Sequence, residues 1–157
     1  MLEDKYLIFR FKYGSSDALS RIYEKYRLYL LKLASALCHD HTIAEDVVQD
    51  VFVKLAASAE SIRIHGSLKA YLRTCIVNSL RNQIRREKVR STVELSEAGS
   101  IDSQNLHAER WAMLTEESVK ISNALSQLPY EQREAVVLHL HSDMKFREIA
   151  KLQAVST

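Results

Sequence analysis

The sequence predicts an all-α protein, and two observations carry that prediction. Apolar residues recur at three- and four-residue steps over several long stretches, the period of a helix buried along one face. Only three Gly and one Pro occur in 157 residues, whereas sheet-rich folds spend many such residues on turns. At this length the chain holds one ordinary domain or two small ones, so compact helical units fit.

The elements follow in order. Tyr6 to Tyr13 predicts a short helix stopped by Gly14, which suits the left-handed position after a helix end. From Asp17, an N-cap residue type, Leu19, Ile22, Tyr23, Tyr26, Leu30, Leu33, Ala34 and Leu37 trace one face of a helix of about five turns. Thr42-Ile43-Ala44-Glu45 has the form of a capping box and predicts the start of the next helix. Its apolar pairs repeat every four residues from Ile43/Ala44 to Leu55/Ala56, leaving Asp46, Gln49, Asp50 and Lys54 on the other side. Ser67 predicts the cap of another helix with a buried stripe of Leu68, Tyr71, Leu72, Cys75, Ile76, Leu80 and Ile84. Its opposite face reads Thr74, Asn78, Arg81, Asn82 and Arg85, and these helices together predict a small bundle over residues 1–90.

Residues 91–110 are polar, Ser-rich and acidic without an apolar period, and predict a flexible linker. Over 111–157 a helical pattern resumes with Trp111, Leu114, Ser118, Ile121, Leu125 and Leu128. Pro129 suits the first position of the following helix, predicted through Leu140, and Phe146 to Leu152 follows the Ser142-Asp143 break.

A formal charge of +2 says little, but its distribution says more. Arg63, Lys69, Arg73, Arg81, Arg85, Arg86, Lys88 and Arg90 are opposed in their stretch only by Glu87, and the acidic Glu94, Glu97, Asp102 and Glu109 follow. A basic helix has the composition of a phosphate-tracking surface, although an ordinary charged face reads the same way. Two cysteines, Cys38 and Cys75, make neither a disulfide framework nor a zinc ribbon and fit a reducing cytoplasm. The start MLEDKYLIFR lacks the apolar core of a signal peptide, and no later run is long enough to span a bilayer, so no membrane insertion is expected. Cys38, His39 and His41 stand too close along the chain to converge on one ion, and no metal or cofactor is expected. No phosphate-binding glycine loop or nucleophile motif points to an enzyme. The pair Asp46/Asp50 is compatible with Mg²⁺ in a nuclease, but two carboxylates on one helix are commonplace.

The stripe Asp46, Gln49, Asp50 taken alone reads as a solvated helix face. Its surroundings, AEDVVQDVFVKL at 44–55, resemble the segment by which extracytoplasmic-function sigma factors of the sigma-70 family dock on the coiled coil of the largest RNA polymerase subunit. The resemblance implies that these three residues bind core polymerase, as an acidic stripe meeting a basic helix. GSLKAYLRTCIVNSLRNQIRREKVR at 66–90 resembles the segment that melts the −10 promoter element, and implies contact with promoter DNA through Asn78, Lys69, Arg73, Arg81, Arg85 and Arg86. Tyr71, Thr74 and Asn82 depart from the family's usual Trp, Arg and Asp, and the position of Tyr71 in the apolar stripe favours core packing over base stacking. LPYEQREAVVLHLHSDMKFREIAKL at 128–152 resembles the opening of the family's −35-binding helix-turn-helix. There Asp143 replaces the usual Gly of the turn, and Lys145 replaces a capping Ser or Thr. The last residues, Ala154-Val155-Ser156-Thr157, imply an incomplete motif in which Ser156 stands at the cap of a recognition helix.

The resemblance as a whole implies a non-enzymatic initiation factor with core polymerase, promoter DNA and an anti-sigma factor as partners. The competing reading is a shortened sigma-like module that binds polymerase or an anti-sigma factor without directing initiation.

Overall fold

The computed structural model describes residues 2–59, 61–64, 66–93 and 116–154, and every regular element among them is a helix. They are α1 (Leu2–Lys12), α2 (Ser16–Cys38), α3 (His41–Ala57), α4 (Leu68–Val93), α5 (Glu116–Ser126), α6 (Tyr130–Ser142) and α7 (Phe146–Ala154). The expected linker beyond Val93, together with Trp111, Leu114 and the cap at Ser156, lies outside the described residues.

The 23-residue α2 is the central post of the fold, with α1, α3, α4 and α6 packed around it. Ala18, Ile22, Tyr26, Leu30, Leu33, Ala34 and Leu37 are its buried residues, the stripe that the spacing predicts. Leu19 and Tyr23 are only partly buried at its edge. The facing stripe of α3 is Ala44, Val47, Val48, Val51, Phe52 and Leu55, and the Phe52 ring meets Tyr23 edge-on at 4.9 Å. In α4 Leu68, Leu72, Ile76, Val77 and Leu80 enter the core, with Tyr71 and Cys75 packed beside them. Burial pushes the Tyr71 phenol up to about 12, in keeping with a packing role.

Helix ends depart from expectation by one to four residues, α1 beginning at Leu2 rather than Tyr6, because an end is decided by where the backbone turns rather than by the residue type alone. Ser15, not Asp17, caps α2 and accepts from the Ala18 amide at 3.4 Å. Asp40, not Thr42, caps α3 and accepts from the Ile43 amide at 3.0 Å, which leaves Thr42 in the first turn. Ser67 caps α4 as expected, accepting from Ala70 at 3.1 Å. That helix runs to Val93, three residues into the segment expected to be linker. Pro129 stands at the cap of α6, one position ahead of its predicted place, and α6 continues to Ser142. Asp143 then takes the left-handed conformation at φ 52°, in which Asp is tolerated and for which Gly is the usual choice. At the start of α7 the Glu148 carboxylate accepts from the Lys145 amide at 2.9 Å, so this end keeps the glutamate half of a capping box without the Ser or Thr half.

The C-terminal helices pack on the bundle. Val137 and Leu138 of α6 and Ile149 of α7 join the same core as α2 and α4. Arg133 fastens the corner: its guanidinium donates to the carbonyls of Leu125, Ser126 and Leu128 and, across to the end of α2, of Leu37, at 3.0–3.1 Å. His39, the last-turn cap of α2 at φ 56°, lies beside this corner. Burial first, then the Arg133 charge, hold its imidazole below the ordinary value.

Candidate interaction faces on α3 and α4

Asp46, Gln49 and Asp50 are exposed together on α3 while the opposite side of the helix is locked into the core. None of the three takes part in an ion pair among the described residues. The face is therefore presented on a rigid element with its acceptors free for a partner. At 100° per residue Val53 falls between Gln49 and Asp50, and it is 68% exposed. A shallow apolar groove formed by Leu19, Tyr23, Phe52, Val53 and Ala56 adjoins it. The four-residue pattern pairs Val51 with Phe52 on the buried side and assigns Val53 to neither face. Continuing the polar stripe by one turn would have exposed Val53 as an apolar residue on the wrong side of an amphipathic helix.

The six residues expected to meet DNA do not form one face of α4. Asn78, Arg85 and Arg86 are open to solvent, and Arg85 reaches Asn82 at 3.4 Å. Lys69 and Arg73 lie about 140–180° around the helix from Asn78. The Lys69 ammonium sits 4.3 Å from the centre of the Tyr29 ring, whose hydroxyl pairs with the Ser142 hydroxyl at 2.8 Å and whose plane stacks on His141. Arg73 donates to the Ser142 carbonyl at 3.4 Å.

Arg81 is turned inward. Its Nε donates to one oxygen of Glu134 at 2.8 Å, Nη2 to the other, and Nη1 to the Leu152 carbonyl at 3.0 Å. Glu134 is 1% exposed and the Arg81 side chain 13%. Burial alone would lower the pKa of this guanidinium, but the hydrogen bond and charge of Glu134 outweigh it and raise the value. This fork joins residues 53 positions apart and carries no local signature, so sequence spacing gave no sign of it.

Cys38, His39 and His41 do not converge. The Cys38 thiol donates to the Asp40 carbonyl at 3.1 Å, burial pushes it up to about 11, and His41 lies 3.5 Å from Glu45. No group of three His, Cys, Asp or Glu side chains able to hold a metal ion occurs among the described residues, nor does any described helix long and apolar enough to cross a membrane.

Residues 22–90, from the second turn of α2 through most of α4, match the family model Sigma-70 region 2. The chain is similar to the ECF RNA polymerase sigma factor SigM of Mycobacterium tuberculosis, at 27% identity over 124 residues, covering 79% of this chain and 60% of that protein. It is also similar to the RNA polymerase sigma factor YlaC of Bacillus subtilis, at 24% identity over 137 residues and 87% and 79% of the two chains. The RNA polymerase sigma-H factor of Pseudomonas aeruginosa matches at 24% identity over 94% of this chain and 81% of its own. The chain thus spans about 60% of the length of the mycobacterial relative.

Proposed function

We propose that this chain is a member of the sigma-70 family, in its extracytoplasmic-function branch, and that it binds core RNA polymerase, directs it to promoters and helps open the −10 element. The observation that carries this reading is the exposed Asp46, Gln49, Asp50 stripe on a helix whose other side is fully buried. Such a stripe contributes little to stability and is available to a basic helical partner such as the coiled coil of the largest polymerase subunit. Once docked, Asn78 with Arg85 and Arg86 is positioned to meet unstacked bases and phosphates, the amide reading base edges and the cations holding the backbone. The chain does no bond chemistry in this scheme, and it works in the cytoplasm, where an anti-sigma factor would compete for the same faces.

Arg81 and Arg73 take part only if the C-terminal helices leave α4, since Glu134 and Ser142 hold them in the packed arrangement. The acidic, Ser-rich composition of 91–110 supports a tether that permits such a movement between a unit at 1–90 and one at 111–157. The occupied Arg81 also favours a second reading, in which the packed chain engages polymerase or an anti-sigma factor without directing initiation.

The test is a pull-down of core polymerase with the chain and with a variant carrying Asp46→Ala, Gln49→Ala and Asp50→Ala, beside a thermal melt. The variant is expected to lose polymerase and to keep its stability within about 0.5 kcal/mol per site. Undiminished capture would remove the docking assignment. Transcription from a cognate promoter by the captured complex separates the initiation factor from the interaction module.

A further inference from the structure

Helix α1 has two apolar faces. Leu7 and Phe11 point into the core, while Leu2, Tyr6 and Phe9, with Tyr13 one residue past the helix end, are 84%, 54%, 59% and 79% exposed. At 100° per residue the four exposed side chains fall within an arc of roughly 60°, centred on the side away from the core. Phe9 and Tyr13 pack against each other with ring centres 4.7 Å apart, so that end of the stripe is one aromatic ridge.

The rim of this ridge is cationic. Lys5 and Lys12 are exposed along one edge and Arg10 along the other. Among the described residues the Arg10 side chain pairs only with Asp17, at 3.9 Å between exposed groups. The carboxylates of the same helix are answered from α2: Glu3 and Asp4 pair with Lys25 at 2.5 and 2.8 Å, and Arg21 stands 3.7 Å from Glu3.

We propose that α1 adsorbs in the plane of an anionic lipid surface, with Leu2, Tyr6, Phe9 and Tyr13 at the headgroup boundary and Lys5, Lys12 and Arg10 among the phosphates. An exposed ridge of aromatic and aliphatic residues with basic residues beside it has the chemistry of an interfacial anchor, not a spanning one. The two tyrosines suit that boundary, with an apolar ring and a polar tip, and the long basic side chains reach upward to headgroups. A second copy is disfavoured, since an antiparallel pairing of two α1 helices sets Lys5 and Lys12 against the same lysines. Single-stranded nucleic acid is disfavoured because the ridge is convex, whereas strand-binding sites are grooves that follow the backbone. A lone short helix gives reversible binding, so attachment is expected to depend on both charge and apolar contact.

The test mixes the full 157-residue chain with vesicles of phosphatidylcholine alone, and of phosphatidylcholine and phosphatidylglycerol in equal parts, and reads bound protein by flotation. The chain is expected to float with the anionic vesicles, less so as salt rises, and to stay behind with the neutral ones. The pair Phe9→Ser and Tyr13→Ser, and separately the pair Lys5→Glu and Lys12→Glu, should each reduce partitioning by about tenfold or more, with circular dichroism unchanged. The proposal is overturned by absence of binding to anionic vesicles, by equal binding to both vesicle types, or by full binding of either paired variant. It is equally overturned if sedimentation shows a dimer that the Phe9/Tyr13 pair abolishes while vesicles are ignored. Polymerase capture is unaffected by either outcome, so the docking assignment on α3 stands or falls separately.

Discussion

Replacing Glu134 by Ala should be among the most damaging single changes in the chain. The carboxylate is almost wholly buried and takes two bonds from Arg81, while the Arg81 side chain retains 13% of its exposure and one bond to the Leu152 carbonyl. Each lost hydrogen bond to a charged group is worth about 1.5–3 kcal/mol, which sums to roughly 3–6 kcal/mol for the pair. Breaking a buried ion pair from one side costs about 3–5 kcal/mol, much of it from the charge left behind. Water can reach Arg81 at its exposed edge, and the Leu152 carbonyl stays in place, so the lower end, about 3 kcal/mol, is expected. Removing both charges with Glu134→Leu and Arg81→Met leaves no unpaired buried charge, only the Leu152 carbonyl without its donor, and the double variant should recover to within about 1–2 kcal/mol of the parent. Urea unfolding of Glu134→Ala and of the double variant beside the parent measures these differences. A cost below about 1 kcal/mol for Glu134→Ala, or a double variant as unstable as the single, would refute the view that this fork holds α6 on α4.

Two further outcomes follow from the same structure. Burial of His39 favours its neutral form on folding, so its contribution is fully present above its ordinary value of about 6.5 and drains away as pH falls from there toward the lower folded value, by at most about 1.4 kcal/mol per pH unit. Urea midpoints between about pH 7.5 and pH 5 should show this slope, and His39→Asn, which tolerates the left-handed backbone, should flatten it; the lowered carboxyls of Glu3 and Asp4 matter only below their ordinary 4.5 and 3.8. Asn78→Ala should leave polymerase capture and stability intact, since an exposed helix position favours Ala by a few tenths of a kcal/mol, yet reduce permanganate reactivity in the −10 region; normal opening would return Asn78 to an ordinary surface role.

The helices and their buried faces were legible because periodicity is a local signal: the stripe from Ile22 to Leu37 in α2, and the split between Val47/Val48 and Asp46/Gln49/Asp50 in α3, are written at three- and four-residue spacing. Caps were less legible, since Ser15 and Asp17, or Asp40 and Thr42, offer the same acceptor chemistry two residues apart and only the backbone path chooses between them. What spacing could not show is which surface residues the fold brings together at long range. Arg81, read as a phosphate contact, finds Glu134, and Arg73 finds Ser142, because the docking of α6 on α2 sets those distances. The outer ridge of α1 was hidden differently: with apolar residues on both faces and charges between, that helix has no single polar side for a pattern to reveal.

The four acceptors of Arg133 are all main-chain carbonyls, at Leu37, Leu125, Ser126 and Leu128. A clasp built this way does not depend on the side chains of the residues it grips. Those four positions are free to drift so far as Arg133 is concerned, provided that the chain follows the same path through them. The arginine itself has no such latitude: a lysine has one nitrogen to place where the guanidinium spreads three, and no point charge spans both the corner after α5 and the end of α2. Tolerance to substitution is thus unequally divided across one joint: the clasp fixes Arg133, while its four acceptors are constrained only by what their own side chains pack against, as Leu37 is in the core.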